Sequence, residues 1–249
     1  MTSVGLFGFG RIGRNLFRIL HGREDVRIAA IADPAEPAAL EYLVRFDTVL
    51  GRFPDLVTLR DGNLYAAGRQ IPLRTGAQAN ALAWKELGVH TVLEATSRSR
   101  RRSELQAHLD AGARRVISLA PPGDPPDLLV VPGLTDGRVN EGQRIVSNAS
   151  STVHAVAPIL KILSEAFGIR RAIFTTIHSY TSQHRLADVP AEDKRRGRAA
   201  AENIIPQESR SPVMLAEVLP ELSGRVTGYA MNVPVANGSV VDLVCWHDR

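Results

Sequence analysis

The sequence predicts an α/β protein in which a parallel sheet wrapped by helices is followed by a smaller α+β unit. Three observations predict it. In the first half, short apolar runs alternate with stretches of helical spacing, the pattern of strands joined by crossover helices. A glycine-rich turn separates the first run from the first helix. Beyond residue 147 the alternation gives way to one long helix, a strand, a long polar segment and further strand runs. The boundary is expected near Asn148, dividing the chain into 1–148 and 149–249.

The elements follow in order. Residues 4–9 form an apolar run ending in glycine, after which Ile12, Leu16, Ile19 and Leu20 recur at helical spacing. A second run, 26–32, stops at Asp33-Pro34, because proline cannot continue a central strand. A helix is expected over 37–45, and Asp61-Gly62-Asn63 reads as a hairpin turn between 56–59 and 64–66. Further strands are expected at 89–95, 115–119, 128–131 and 144–147, with helices near 81–87 and 103–111. Gly88 and Gly112 stand where helices end in a left-handed residue. In the second half a helix is expected over 152–167, with Val153, Val156, Leu160, Leu163 and Phe167 on one face and Ser150 or Ser151 as its cap. A strand at 172–178, a short helix at 213–219 and strands at 225–233 and 239–246 complete the chain. The polar segment 179–206 is long enough to suggest binding or packing against a partner.

Composition bounds the function. Of 249 residues, 44% are hydrophobic and 22% charged, the balance of an ordinary globular protein rather than a disordered chain. The apolar runs fall far short of the roughly 20 residues that cross a bilayer, and the amino terminus leads straight into a strand pattern, so no membrane association and a cytoplasmic location are expected. The single cysteine, Cys245, cannot form an internal disulfide. Two basic runs, Arg98 to Arg102 and Lys194 to Arg198, carry much of the net charge of +4. With aromatics at only 5%, stacking platforms are scarce. The runs therefore read as solvated faces rather than as a nucleic-acid surface. No metal site is expected.

Gly8-Phe9-Gly10-Arg11-Ile12-Gly13 is the first motif that carries chemistry. It closes a strand and opens a helix, which lets backbone amides approach a pyrophosphate at the positive helix end. Asp33, ahead of Pro34 and about 20 residues beyond Gly13, suits the ribose hydroxyls and repels a 2′-phosphate. NAD is therefore the expected cofactor, bound by a Rossmann-type domain.

The motifs Gly8 to Arg14, Asp33-Pro34, Phe46-Asp47-Thr48, Ser147-Asn148-Ala149-Ser150, His178-Ser179-Tyr180-Thr181, Asn203-Ile204-Ile205-Pro206 and Ser239-Val240-Val241-Asp242 resemble the glyceraldehyde-3-phosphate dehydrogenase family, in family order. The resemblance implies an NAD-binding Rossmann domain and a shortened catalytic-type domain, with 179–206 at the position of a loop lying between subunits of a tetramer. It also implies that the catalytic cysteine is replaced by Ser151. His178 matches the catalytic histidine, and Ser150, Thr152 and Thr181 match phosphate contacts. Asn232 stands where the family has the arginine that holds the substrate phosphate. The second phosphate site is replaced around Ser209-Arg210, with Glu208 adding negative charge, so any anion binding there would draw on Arg210. The family also continues beyond position 249 through further strands and an asparagine that orients the nicotinamide. An edge left by that difference is expected to be covered by a second copy, making a homo-oligomer.

These departures predict a small-molecule substrate other than a triose phosphate. A serine must lose its proton during attack and depends on an aligned base, which His178 supplies and which His154, one helical turn from Ser151, assists. Three functions are compatible. One is a repurposed enzyme performing acyl transfer, hydrolysis or acid-base chemistry with Ser151, His178 and His154. The others are a pseudoenzyme with a regulatory or assembly role, and an NAD-dependent dehydrogenase acting on a free aldehyde without a thioester. In the plainer reading, Ser151 only caps the helix and His154 is a polar pocket residue.

Overall fold

The computed structural model describes residues 1–75, 82–96, 98 and 100–248. The chain forms two compact units, the first made of Met1–Val130 and Arg138–Ala149, the second of Val131–Gly137 and Ser150–Arg249.

The first unit begins β1 (Thr2–Phe7), α1 (Arg11–Leu20), β2 (Val26–Asp33) and α2 (Pro37–Arg45). A two-stranded ribbon, β3 (Phe46–Asp47) and β4 (Gly51–Arg52), leads into the meander β5 (Val57–Arg60), β6 (Asn63–Ala66) and β7 (Arg69–Thr75). The unit closes with β8 (Thr91–Glu94), α3 (Arg102–Asp110), β9 (Arg115–Ser118), β10 (Leu128–Leu129) and β11 (Ile145–Ser147). These strands make one nine-stranded sheet ordered β10-β11-β9-β8-β1-β2-β7-β6-β5. It is parallel from β10 to β7, and only the meander is antiparallel.

Successive residues of a strand face opposite sides, so β1 feeds two cores. Leu6 and Ile31 pack with Phe17 of α1 and Leu40 of α2. Phe7 and Val92 pack with Trp84 and with Leu105 of α3. Burial on both faces explains why β1 and β2 are continuous apolar runs rather than alternating ones. The hairpin turn falls at Asp61 and Gly62, both at positive φ, as a two-residue turn of matching twist requires.

Two expectations change. Residues 84–88 form turns rather than a helix, while Ala81, the expected start, lies outside the described residues. The spacing of Leu82, Trp84 and Leu87 instead packs a loop onto the sheet, where Trp84 is fully buried and donates from Nε1 to His108 Nδ1 at 3.1 Å. Strand β7 was not expected, and it contains Pro72. That residue pairs only with β6, since the register with β2 covers Leu73, Arg74 and Thr75. The basic runs pair locally, Arg100 with Glu104, Arg102 with Asp127, Arg195 with Asp193 and Arg198 with Asp188.

The second unit contains α4 (Ser151–Phe167), β12 (Arg171–Ser179), β13 (Ile205–Glu208), α5 (Ser211–Val218), β14 (Val226–Val233) and β15 (Ser239–Trp246). Its sheet order is β13-β14-β12-β15, with β12 and β14 parallel and the outer pairs antiparallel. Val153, Val156 and Leu160 of α4 are buried as expected, but Phe167 is half exposed and meets the His247 ring edge-on at 5.6 Å. β13 was missed because a polar segment and Pro206 hide it. Cys245 is half-buried, and burial raises its thiol pKa. No helix among the described residues is long and apolar enough to cross a membrane.

Candidate functional site

The glycine turn sits at the carboxyl end of β1, where the sheet order reverses between β2 on one side and β8 on the other. That reversal opens the crevice in which such sheets hold ligands. Each glycine has its own reason. Gly8 has φ of +95°, and a Cβ there would lie 2.7 Å from the Thr96 backbone nitrogen. A Cβ on Gly13 would lie 2.1 Å from the Gly8 carbonyl oxygen, so this glycine lets α1 press against the turn. Gly10, the N-cap of α1, is exposed, and nothing lies within 4 Å of its Cβ position. The space beside it is open to a ligand that must touch backbone, and no acidic side chain stands in the first turn to compete for the helix N–H groups.

Asp33 is fixed by the same turn. One carboxylate oxygen accepts from the Phe9 backbone amide at 2.6 Å and the other from Ala35 at 2.9 Å. A carboxylate has about four acceptor sites, so two remain for ribose hydroxyls. Pro34 follows it, exposed. Ile12 is partly exposed beside the turn, and Arg11 is half-buried. Arg14 donates to the Phe9 carbonyl at 3.2 Å and pairs with Asp47 at 3.4 Å, bracing the turn from beneath. These residues fit a dinucleotide. A separate open pocket of about 380 Å³ between Arg45 and Leu56 contains none of the predicted residues.

In the second unit the helix cap is Ser150, whose Oγ accepts from the Val153 amide at 3.2 Å and lies 3.1 Å from Ser211 Oγ. Ser151, the first residue of α4, is exposed and has no capping role. His178 lies near the end of β12, where burial holds its pKa below the ordinary 6.5. Its Nδ1 is 2.9 Å from Ser239 Oγ, and the register pairs these two residues directly across β12 and β15. Ser239 was missed as a site residue, and only the strand register reveals it. Among the described residues Ser151 Oγ makes no hydrogen bond to His178. His154 is half-buried one turn along α4.

The predicted anion contacts do not share one role. Thr152 is buried, and its hydroxyl faces that of Thr176 at 3.4 Å. Thr181 is exposed and lies 3.1 Å from His184 Nδ1. Arg210 is exposed at the start of α5. Asn232 is buried, donates to the Ser179 carbonyl at 2.7 Å and accepts from Gln207 at 2.5 Å. Among the described residues no group of three or more His, Cys, Asp or Glu is placed to hold a metal.

Comparison with known proteins agrees with this geometry. Residues 2–102 match the family model of the glyceraldehyde 3-phosphate dehydrogenase NAD binding domain, and residues 150–249 that of its C-terminal domain. The chain is 42% identical to a Geobacillus stearothermophilus glyceraldehyde-3-phosphate dehydrogenase over 98% of its own length and 72% of that protein. Identity to the Mycobacterium leprae enzyme is 41%, over 97% of this chain and 73% of the relative. A Bacillus cereus relative is 40% identical over the whole chain and 75% of its own length. With its NAD-binding domain, its catalytic-type domain and its near-complete alignment to these enzymes, the chain belongs to the glyceraldehyde-3-phosphate dehydrogenase family.

Proposed function

We propose that this chain keeps the family's cofactor-binding half and uses Ser151 with His178, assisted by His154, for acyl transfer, hydrolysis or acid-base chemistry on a substrate other than a triose phosphate. The functional division falls at residues 1–148 and 149–249. The observation that carries the reading is the release of Ser151 from capping. Ser150 takes that task, so the exposed hydroxyl at the nucleophile position is unspent.

The chemistry follows from the tautomer of His178. If Nδ1–H donates to Ser239 Oγ, Nε2 keeps its lone pair and takes the Ser151 proton as Oγ attacks a carbonyl carbon. Burial keeps the imidazole neutral near pH 7 and available as a base. The positive end of α4 favours the developing alkoxide. NAD, when bound, supplies hydride acceptance. Gly8, Gly10 and Gly13 would hold its pyrophosphate and Asp33 its ribose. A pseudoenzyme is the second reading, favoured by the absence of a Ser151 to His178 hydrogen bond among the described residues. Turnover without cofactor separates the repurposed enzyme from a dehydrogenase acting on a free aldehyde. Absence of turnover on aldehyde, ester and thioester panels supports the pseudoenzyme.

NAD should bind at least about tenfold tighter than NADP, because the Asp33 carboxylate meets the 2′-phosphate with like charge. Calorimetric titration of both cofactors checks this, and tighter NADP binding contradicts it. We also place the chain in the cytoplasm, and we infer a homo-oligomer with 179–206 near an interface from Leu186 at 89% exposure and Ile204 at 63% in that segment. Light scattering at micromolar concentration should give a mass above 27.0 kDa, and a clean monomer contradicts it.

A further inference from the structure

Glu94, the last residue of β8, is fully buried at the carboxyl end of the sheet, where the register sets it between Phe7 of β1 and Ser118 of β9. Among the described residues its Oε2 has no hydrogen-bond partner. A carboxyl buried in that state is costly, and a leucine would serve the core better. Nothing in the chemistry assigned to Ser151 and His178 uses it. We propose that Glu94 and Arg100 are positioning residues for the cofactor, fixing Thr96 as the wall of the crevice against which the nicotinamide half of NAD lies.

The other carboxyl oxygen serves a single residue. Oε1 accepts from the Thr96 backbone N–H at 3.1 Å and from the Thr96 hydroxyl, so both donors of that residue are committed. Arg100 reaches back to the same residue. Its Nη2 donates to Thr96 Oγ1 at 3.1 Å, its Nε lies 3.6 Å from Glu94 Oε1, and its Nη1 donates to Glu104 of α3 at 3.0 Å. The arginine is itself held, with its backbone carbonyl accepting from Gly123 at 2.9 Å and its guanidinium 6.0 Å from the centre of the Phe7 ring. Burial raises the Glu94 pKa, and the Thr96 and Arg100 contacts oppose the rise.

Thr96 is where this arrangement meets the site. It is half-buried and backs directly onto the glycine turn, since a Cβ on Gly8 would lie 2.7 Å from its backbone nitrogen and 2.8 Å from its Cα. Asp33 ends β2, on one side of β1, and Thr96 follows β8, on the other. A dinucleotide with its adenosine ribose on Asp33 and its pyrophosphate on the turn therefore carries its second ribose and nicotinamide toward Thr96. A shift of the Thr96 backbone would reshape that side of the crevice and leave the Asp33 side as it is.

The test compares NAD with ADP, which carries the adenosine ribose and both phosphates but lacks the nicotinamide half. Arg100→Met and Glu94→Leu should each weaken NAD by about tenfold and leave ADP within about twofold, read by calorimetry on the full chain after thermal melts confirm folding. Glu94→Gln keeps an accepting oxygen for Thr96 and should bind NAD within about threefold of the unmodified chain. If Glu94→Leu does not fold, Arg100→Met decides, because that side chain is 19% exposed and not part of the core. Equal loss of NAD and ADP would mark a purely structural role and overturn the proposal. So would unchanged NAD affinity, a Glu94→Gln loss as large as that of Glu94→Leu, or no NAD binding by the unmodified chain. None of these measurements involves Ser151, so they stand apart from the catalytic reading.

Discussion

Gly10→Ala is expected to weaken NAD binding by at least about tenfold while lowering stability by about 1 kcal/mol or less, whereas Gly13→Ala lowers both. The two glycines look alike in sequence but meet different neighbours. At Gly10 a methyl group touches no protein atom within 4 Å and acts only on whatever approaches the turn from outside. At Gly13 it would sit 2.1 Å from the Gly8 carbonyl oxygen, so α1 must move off the turn before any ligand arrives. Overpacking of this kind typically costs about 1 to 3 kcal/mol. Thermal melts paired with NAD titrations separate the two effects. Unchanged affinity in a stably folded Gly10→Ala protein would show that the pyrophosphate does not lie against the turn.

Ser151→Ala and His178→Gln should each lower cofactor-free turnover of an activated ester by about 10² to 10⁴-fold. The double variant should be little worse than either, because a nucleophile and its base act as one unit. Since burial holds the His178 pKa below its ordinary 6.5, the acid limb of the rate profile should lie below pH 6.5. The base form persists as pH falls until that lowered value is crossed, and activity is lost beneath it. Turnover that survives Ser151→Ala would remove the hydroxyl from the mechanism and shift weight to the pseudoenzyme reading.

How much of this was legible before the fold was known depended on whether the signal was local. The turn at Gly8 to Gly13, Asp33 before Pro34, the helix Pro37–Arg45 and the strand Ser239–Trp246 are written in neighbouring residues, and each formed where expected. β13 and β7 each contain a proline, and proline argues against a strand unless its unpaired side is known. Residues 84–88 misled for a different reason. Apolar spacing reports burial, and a loop wedged against a sheet by Trp84 buries residues as well as a helix does. The site followed the same division. Ser151 and His178 stand in motifs, but Ser239 meets His178 only through the pairing of β12 with β15. Likewise His184, Gln207 and Asn232 are brought together only by a loop folding over the β13 and β14 pair, with no spacing in the chain to announce it.

The central claim is that the substrate site has been rebuilt and not merely deprived of its sulfur. Ser151→Cys places a thiol at a helix start, where the positive end of α4 favours thiolate. Oxidation of a triose phosphate also needs the phosphate held so that the aldehyde faces the sulfur, and misplacement by about 1 Å costs on the order of 100-fold. Asn232 is buried, bonded to Ser179 and Gln207, and carries no charge to hold that phosphate. The direct measurement is NADH formation by Ser151→Cys with glyceraldehyde 3-phosphate and inorganic phosphate, after thiol reactivity and NAD binding have been confirmed. The account predicts a reactive thiol with turnover at least about 100-fold below that of the Geobacillus stearothermophilus relative. Turnover close to that relative's would contradict it and mark the chain as a dehydrogenase disabled by a single substitution.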